Sequence, residues 1–424
     1  MLEQVAGARR RWARIRWAVR SARVLNRAGL FRPTHPIATI RLARDVRRWG
    51  PLAGAVRIAA RRWPDSIGLV DDRGALTFGE LDRRSNALAW AWRGQGIRQD
   101  AAIGVLCRNH RGVADAMFAA AKLGAQVVPM PTEFGAEQLA AVVQREGVTT
   151  IVYDEEFGPV VAALPERVGR YLAWVDGSGE HVRLNELIAA APAHALPVPA
   201  EPGGLTLVPK ANAGVPCRVS PALFAAQFLD RIPMQPGPAT LIGVPLFRGY
   251  GLAPFLVALS LGSTAVLQRG VDAQHLLARA VRYRCTTVVV TPRLVSELLD
   301  ASGPVPSTLR VVLCSGAPLV PDLGNRVTLM FGDVLYNWYC PAESLLAAVA
   351  TPADWRAAPG TVGYPPFGCH VALLSAQGRR VVEPGRPGDV HVGNLVADGL
   401  LACGAVGHFD RAGRLFLDGV AGGD

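Results

Sequence analysis

Lysine is nearly missing from this chain: Lys122 and Lys210 are the only two, so 43 of its 45 basic residues are arginine. With 45 glycines, 32 prolines and abundant alanine, the bias matches GC-rich codon usage, and arginine counts carry correspondingly less functional weight. A pairing pattern for cysteine is missing too. The seven, at 107, 217, 285, 314, 340, 369 and 403, are odd in number, scattered and without a C-x-x-C, which argues for free thiols in a reducing cytoplasm and against a disulfide frame or zinc site. No sustained apolar region follows the arginine-rich start, so no signal peptide is expected. The longest uncharged run, Gly249 to Gln268, contains Pro254 and several glycines, and reads as a buried helix followed by a strand rather than a membrane span.

What is present suffices for a large core. The 424 residues are half hydrophobic, enough for two or more structural lobes. Charge is unevenly placed: residues 1–62 hold sixteen arginines against Glu3 and Asp45, a net of +14, so the rest carries −3 within the +11 of the whole. The basic character belongs to an N-terminal arm.

From Arg9 to Arg27 that arm holds eight arginines. Trp12, Ile15, Val19 and Ala22 recur at helical spacing, with Arg9, Arg16, Arg20, Arg23 and Arg27 along the adjoining face. Two readings stand: a helix lying on an anionic membrane surface, or a solvated helix packed on its own domain. Trp17 and Leu25 fall outside the stripe. No nucleic-acid-binding motif accompanies the basic residues, so no nucleic acid is expected as partner.

Beyond the arm, strand and helix alternate. Two short strands flank the turn Asp71–Gly74, and a helix from about Phe78 should bury Leu81, Leu88 and Trp92, ending at Gly94 or Gly96. Then come a strand AAIGVLC, a helix over 112–123, the strand QVVPMP, a helix over 136–146 and the strand TTIVYD. The pattern resumes later with LIGVPLF, a helix over 273–283, TTVVVTP and LRVVLCSGAPL. Such alternation predicts α/β architecture, parallel sheets with helices on both faces. From Gly360 the period falls to two, predicting a small antiparallel β-barrel lobe. The expected division is an arm over 1–50, α/β lobes over 51–203 and 204–359, and a β-rich lobe over 360–424.

Between the two α/β blocks lies GLTLVPKANAGVPCRVS, with Pro209, Asn212, Gly214 and Pro216 inside eight positions. This stretch resembles the phosphate-binding loop of the adenylate-forming acyl-CoA synthetases (fatty-acid–CoA ligases), whose signature is T-S-G-T-T-G-x-P-K-G. Against Pro209–Arg218 only Gly214 and Pro216 match. The resemblance runs in order through residues 60–420. Thr77-Phe78-Gly79-Glu80-Leu81 matches the T-F-x-E-L that opens the first helix. It implies two stacked α/β lobes, ATP or AMP and Mg²⁺ as cofactors, and an acyl substrate such as a fatty acid. It also places a nucleotide site at Lys210, Asn212, Gly214, Gly316, Ala317, Tyr339 and Glu343, and an acyl side at Arg248, Gly249 and Gly251. Arg248 stands where the family has a histidine near the acyl carboxylate. Ser315-Gly316-Ala317 matches the glycine turn beside adenine, and Tyr339 and Glu343 survive from Y-G-x-T-E, the glutamate as an oxygen ligand for Mg²⁺.

The departures matter as much. The S-T-G-D motif reads Ala402-Cys403-Gly404-Ala405, without the aspartate that accepts the ribose hydroxyls, and Ala342 replaces the threonine that meets phosphate. After Val420 to Gly423 no C-terminal domain with catalytic lysine and CoA site is expected. Hydrogen bonds to charged groups contribute ~1.5–3 kcal/mol each. Two losses would weaken nucleotide binding by roughly a hundredfold to ten-thousandfold. The expectation is a family member impaired or inactive in acyl-adenylate formation, with no catalytic residue assigned. The alternative is a non-catalytic acyl-binding protein or membrane-associated scaffold paired with active homologues. Either would be cytoplasmic, peripheral on the inner face of the membrane if the arm binds lipid.

Overall fold

The computed structural model describes residues 16–30, 36–177, 181–208, 221–270, 272–301, 303–341, 346–394 and 399–420. The chain divides into two compact units, each assembled from separated segments. One comprises Ile37–Gly214 with Gly237–Asp272; the other comprises Met1–Pro36, Val215–Pro236 and Ala273–Asp424.

In the first unit a parallel sheet runs in the order Gln126–Pro129, Ala102–Leu106, Val148–Asp154, Gly169–Trp174. Ala102–Leu106 is buried at every residue, and so are 127–129 and 150–154, as expected of strands covered on both faces. Helix Phe78–Gly94 begins on a capping box: Thr77 Oγ1 accepts from Glu80 N at 3.1 Å, and Glu80 Oε2 accepts from Thr77 N at 2.7 Å. Leu81, Leu88 and Trp92 are fully buried, as the period requires. Helix Arg111–Leu123 packs beside it and ends at Gly124 in the left-handed conformation, φ 81°. The unit also holds four strands hydrogen-bonded in the order Thr240–Ile242, Ala265–Leu267, Ile67–Asp71, Gly74–Thr77, the last two forming the expected hairpin. The uncharged stretch is a helix, Gly249–Ser260, then the strand Ala265–Leu267. Helix Pro36–Arg62 breaks at Gly50, φ 71°, ahead of Pro51.

In the second unit Thr287–Val290, Val311–Cys314 and Leu335–Tyr339 pair in parallel, with Ala348–Ala350 antiparallel on the end. The alternating segment after Gly360 forms a separate five-stranded antiparallel sheet in the order Arg380–Val381, Cys369–Leu374, Gly388–Asn394, Leu401–Phe409, Leu415–Val420.

The arm is helical over 16–27 and packs within this second unit. Its inward face is not the stripe picked out by spacing. Val24, Leu25 and Leu30 are buried and Trp17 and Ser21 half-buried, while Val19 and Ala22 are exposed. Trp17 and Leu25, the residues that broke the stripe, are the ones that face inward. Trp12, Ile15 and the arginines before them lie outside the described residues. Among the described residues no helix is long and apolar enough to cross a membrane.

Candidate functional site

The residues expected on the acyl side, Arg248, Gly249 and Gly251, lie beyond the carboxyl end of strand Thr240–Ile242, where the chain turns into helix Gly249–Ser260. Asn109 braces the turn. Its Nδ2 donates to the Val244 carbonyl at 2.7 Å and its Oδ1 accepts from Leu246 N at 2.9 Å. Gly251 is required there, because a Cβ would lie 2.2 Å from the Pro245 carbonyl oxygen. Arg248 is the N-cap of the helix and is only 6% exposed. Its guanidinium lies 5.1 Å from the Phe247 ring centroid and 3.5 Å from Glu133 Oε1. Arg248 is thus an enclosed cation, held where the helix start adds further positive potential, with a counter-charge on a side chain that is 58% exposed. Neither Asn109 nor Glu133 stood out in the sequence. Both act across more than a hundred residues, and no local pattern reports such a contact.

In the second unit the structure brings Gly316, Ala317 and Tyr339 to one edge. Strands Val311–Cys314 and Leu335–Tyr339 are in parallel register, Cys314 beside Asn337, and Ser315 Oγ donates to the Trp338 carbonyl at 2.8 Å. Gly316 has φ 94° and both it and Ala317 are exposed at the carboxyl ends of the strands, where open α/β sheets hold ligands. Tyr339 Oη is buried beside Cys403 and Cys340, and burial first, then those thiols, pushes its phenol well above the usual range. Burial also pushes the Cys403 thiol up to about 12. Ala405 lies inside strand Leu401–Phe409, paired with Val420. Lys210, Asn212 and Gly214, together with Ala342 and Glu343, lie outside the described residues.

A further polar cluster was not singled out by the sequence. Cys107, His110 and Asp154 are all buried, with ligand atoms within 4.8 Å of one another. His110 Nδ1 accepts from Gly112 N at 3.0 Å, so Nε2 carries the proton and donates to Asp154 Oδ1 at 2.8 Å. Arg108 N donates to Asp154 Oδ2 at 3.0 Å. Both ring nitrogens are committed, and burial pushes the Cys107 thiol up, away from the thiolate a metal needs. The donor set does not suit a metal. The cluster anchors a charged surface layer, in which Arg269 reaches Glu156 at 2.6 Å and Asp176 at 2.7 Å, and Arg73 stacks 3.7 Å over the Trp174 ring.

The AMP-binding enzyme family matches residues 56–200 and 214–400, well over half of the sequence. The chain belongs to that family. Among similar proteins, the fatty acid–[acyl-carrier-protein] ligase ScoC of Streptomyces coeruleorubidus is 23% identical over 397 residues, 84% of this chain and 75% of ScoC. The phosphinothricin tripeptide synthetase PhsC of Streptomyces viridochromogenes is 28% identical over 84% of this chain, which spans 32% of PhsC. In structure, the anthranilate CoA ligase AuaEII superimposes with a TM-score of 0.77 at 20% identity, covering 87% of this chain and 78% of that one. The N-terminal domain of FACL13 from Mycobacterium tuberculosis gives 0.75 at 18% identity, covering 87% and 99%. Likeness at that identity establishes the fold: an α/β fold with parallel strands and a separate C-terminal antiparallel sheet.

For an AMP-binding chain the nucleotide edge is only partly furnished. Among the described residues, Gly316 in the left-handed conformation and the buried Tyr339 hydroxyl stand at this edge. Ala405 has no side-chain acceptor, while Lys210, Asn212, Gly214 and Glu343, on which the rest of the expected nucleotide site depends, lie outside the described residues.

Proposed function

We propose that this AMP-binding-family chain binds a carboxylic acid of the fatty-acid class on Arg248 and forms acyl-adenylate far more slowly than active ligases do. The observation that carries this reading is the enclosed Arg248 guanidinium at the start of helix Gly249–Ser260. A permanent cation with forked donors suits a carboxylate, and relatives named as fatty-acid and aryl-acid ligases act on that group. Glu133, largely exposed, supplies a counter-charge that an incoming carboxylate would displace. On the nucleotide side, Ala405 and the altered loop over 209–218 remove acceptors and donors that adenylation uses, so ATP and Mg²⁺ bind weakly and an acid can be held without being activated.

Calorimetric titration of a long-chain fatty acid into wild type and Arg248→Ala tests the binding. The expected result is binding by wild type and a loss of at least tenfold in the variant; an affinity indifferent to the substitution overturns the reading. In parallel, pyrophosphate release from ATP and the same acid should stay near background. Turnover at ordinary enzyme rates, ~1–10³ s⁻¹, would instead establish the second reading, an active ligase, which the match over residues 56–200 and 214–400 favours.

A further inference from the structure

The arm helix over 16–27 carries three distinct rows, and the fold buries only one of them. Trp17, Ser21, Val24 and Leu25 face the unit, the last two at 7% and 3% exposure. Arg16, Arg20, Arg23 and Arg27, at i, i+4, i+7 and i+11, form a second row, all exposed. Arg20 is tied down, 2.8 Å from Asp230 and 4.9 Å from the Phe367 ring centroid. Arg16, Arg23 and Arg27 form no ion pair among the described residues. On the far side of the arginines lies the third row, Val19, 45% exposed, and Ala22, with the polar Asn26 one turn further on.

We infer that this outward surface docks on an anionic lipid bilayer. Packing of the helix on its own unit is real, but it consumes the Val24–Leu25 face and leaves the arginine and Val19–Ala22 rows in water. Cations beside an exposed apolar row are what an interfacial helix presents: guanidinium groups meet lipid phosphates while the apolar row enters the headgroup boundary. A nucleic-acid duplex would engage the arginines and leave Val19 and Ala22 in solvent. The docked helix would hold its unit against the membrane, independently of whether Arg248 binds a carboxylate.

The test is co-sedimentation of the full chain with phosphatidylglycerol-containing vesicles, with phosphatidylcholine vesicles and with a DNA duplex as comparisons. Two variants are measured: the triple substitution Arg16→Gln, Arg23→Gln, Arg27→Gln, which leaves the Arg20–Asp230 pair intact, and Val19→Asp. Each cationic side chain near an anionic surface contributes ~1 kcal/mol, so the triple variant should bind anionic vesicles on the order of a hundredfold more weakly. Val19→Asp, which leaves every arginine in place, should also weaken vesicle binding. Wild-type binding should fall with added salt, because the Debye length is only ~8 Å at physiological strength. Equal binding to neutral vesicles, wild-type behaviour of the triple variant, no effect of Val19→Asp, or tighter binding to the duplex would each overturn the inference.

Discussion

Lys122, one of only two lysines in the chain, offers the most direct test of how the first unit is held together. Its fully buried Nζ contacts Asp82 Oδ1 at 2.7 Å, the Asp82 carbonyl at 2.9 Å, Ser85 Oγ at 2.8 Å and Asn86 Oδ1 at 2.8 Å. The ammonium ties helix Arg111–Leu123 to the first turns of helix Phe78–Gly94. Burial pulls it down from 10.5 to about 8, against the attraction of Asp82. Lys122→Met keeps the length of the side chain and removes the charge. Breaking one side of a buried pair costs ~3–5 kcal/mol. The Asp82 side chain is 21% exposed, so water takes over part of the lost solvation, and we expect the low end, about 3 kcal/mol near neutral pH.

Raising the pH sharpens the test. Between about 8 and 10.5 the unfolded chain holds the Lys122 proton and the native chain has released it. The unfolded state then binds more protons, so wild-type stability from this group rises with pH. The slope is ~1.4 kcal/mol per pH unit. The variant lacks the group, and its deficit should widen by roughly 2–3 kcal/mol between pH 8 and pH 10. Tyrosine and cysteine titrations are common to both proteins and cancel in the difference. Urea unfolding of both proteins at neutral and alkaline pH reads the effect as a shift in midpoint at constant m. A deficit that is constant or shrinks with pH refutes a depressed lysine, and a deficit near zero refutes the buried pair itself.

Two further outcomes follow from the sites. Asn109→Ala strands the Val244 carbonyl and the Leu246 amide; leaving buried groups unpaired costs ~1–3 kcal/mol each, so the melting temperature should fall and fatty-acid affinity with it, and unchanged values for both would mean that Asn109 does not brace the Arg248 turn. Asp154→Ala removes the acceptor of His110 Nε2 and Arg108 N and should cost about 3 kcal/mol, while added zinc leaves the wild-type melting temperature unchanged; a zinc-induced rise would show that Cys107, His110 and Asp154 do hold a metal.

Much of the fold was legible because its signals are local. Thr77 and Glu80 satisfy each other's backbone donors three residues apart, so the start of that helix can be read from four letters. Runs such as TTVVV show themselves as strands covered on both faces, and the shift to a period of two after Gly360 marks the antiparallel sheet. Gly316 and Tyr339 were singled out by the family resemblance, and parallel pairing of the strands before them brings both to one edge. The arm was harder. A helical stripe in sequence shows which residues share a face, and several faces of helix 16–27 carry apolar residues, so spacing alone could not choose the buried one.

Sequence by itself determined the alternation of strand and helix, the change of period after Gly360 and the family resemblance, because each is written in short stretches of the chain. Tertiary structure alone decided four things: that Arg248 is enclosed and faces Glu133, that Asn109 braces its turn, that His110 is closed between Gly112 and Asp154, and that Val24 and Leu25, rather than Val19 and Ala22, face the core. The physical reason is range. Burial and counter-charge are set by groups brought together from distant parts of the chain, as Asn109 and Val244 are across 135 positions, and helical or strand periodicity reports only which residues share a face, never what that face meets.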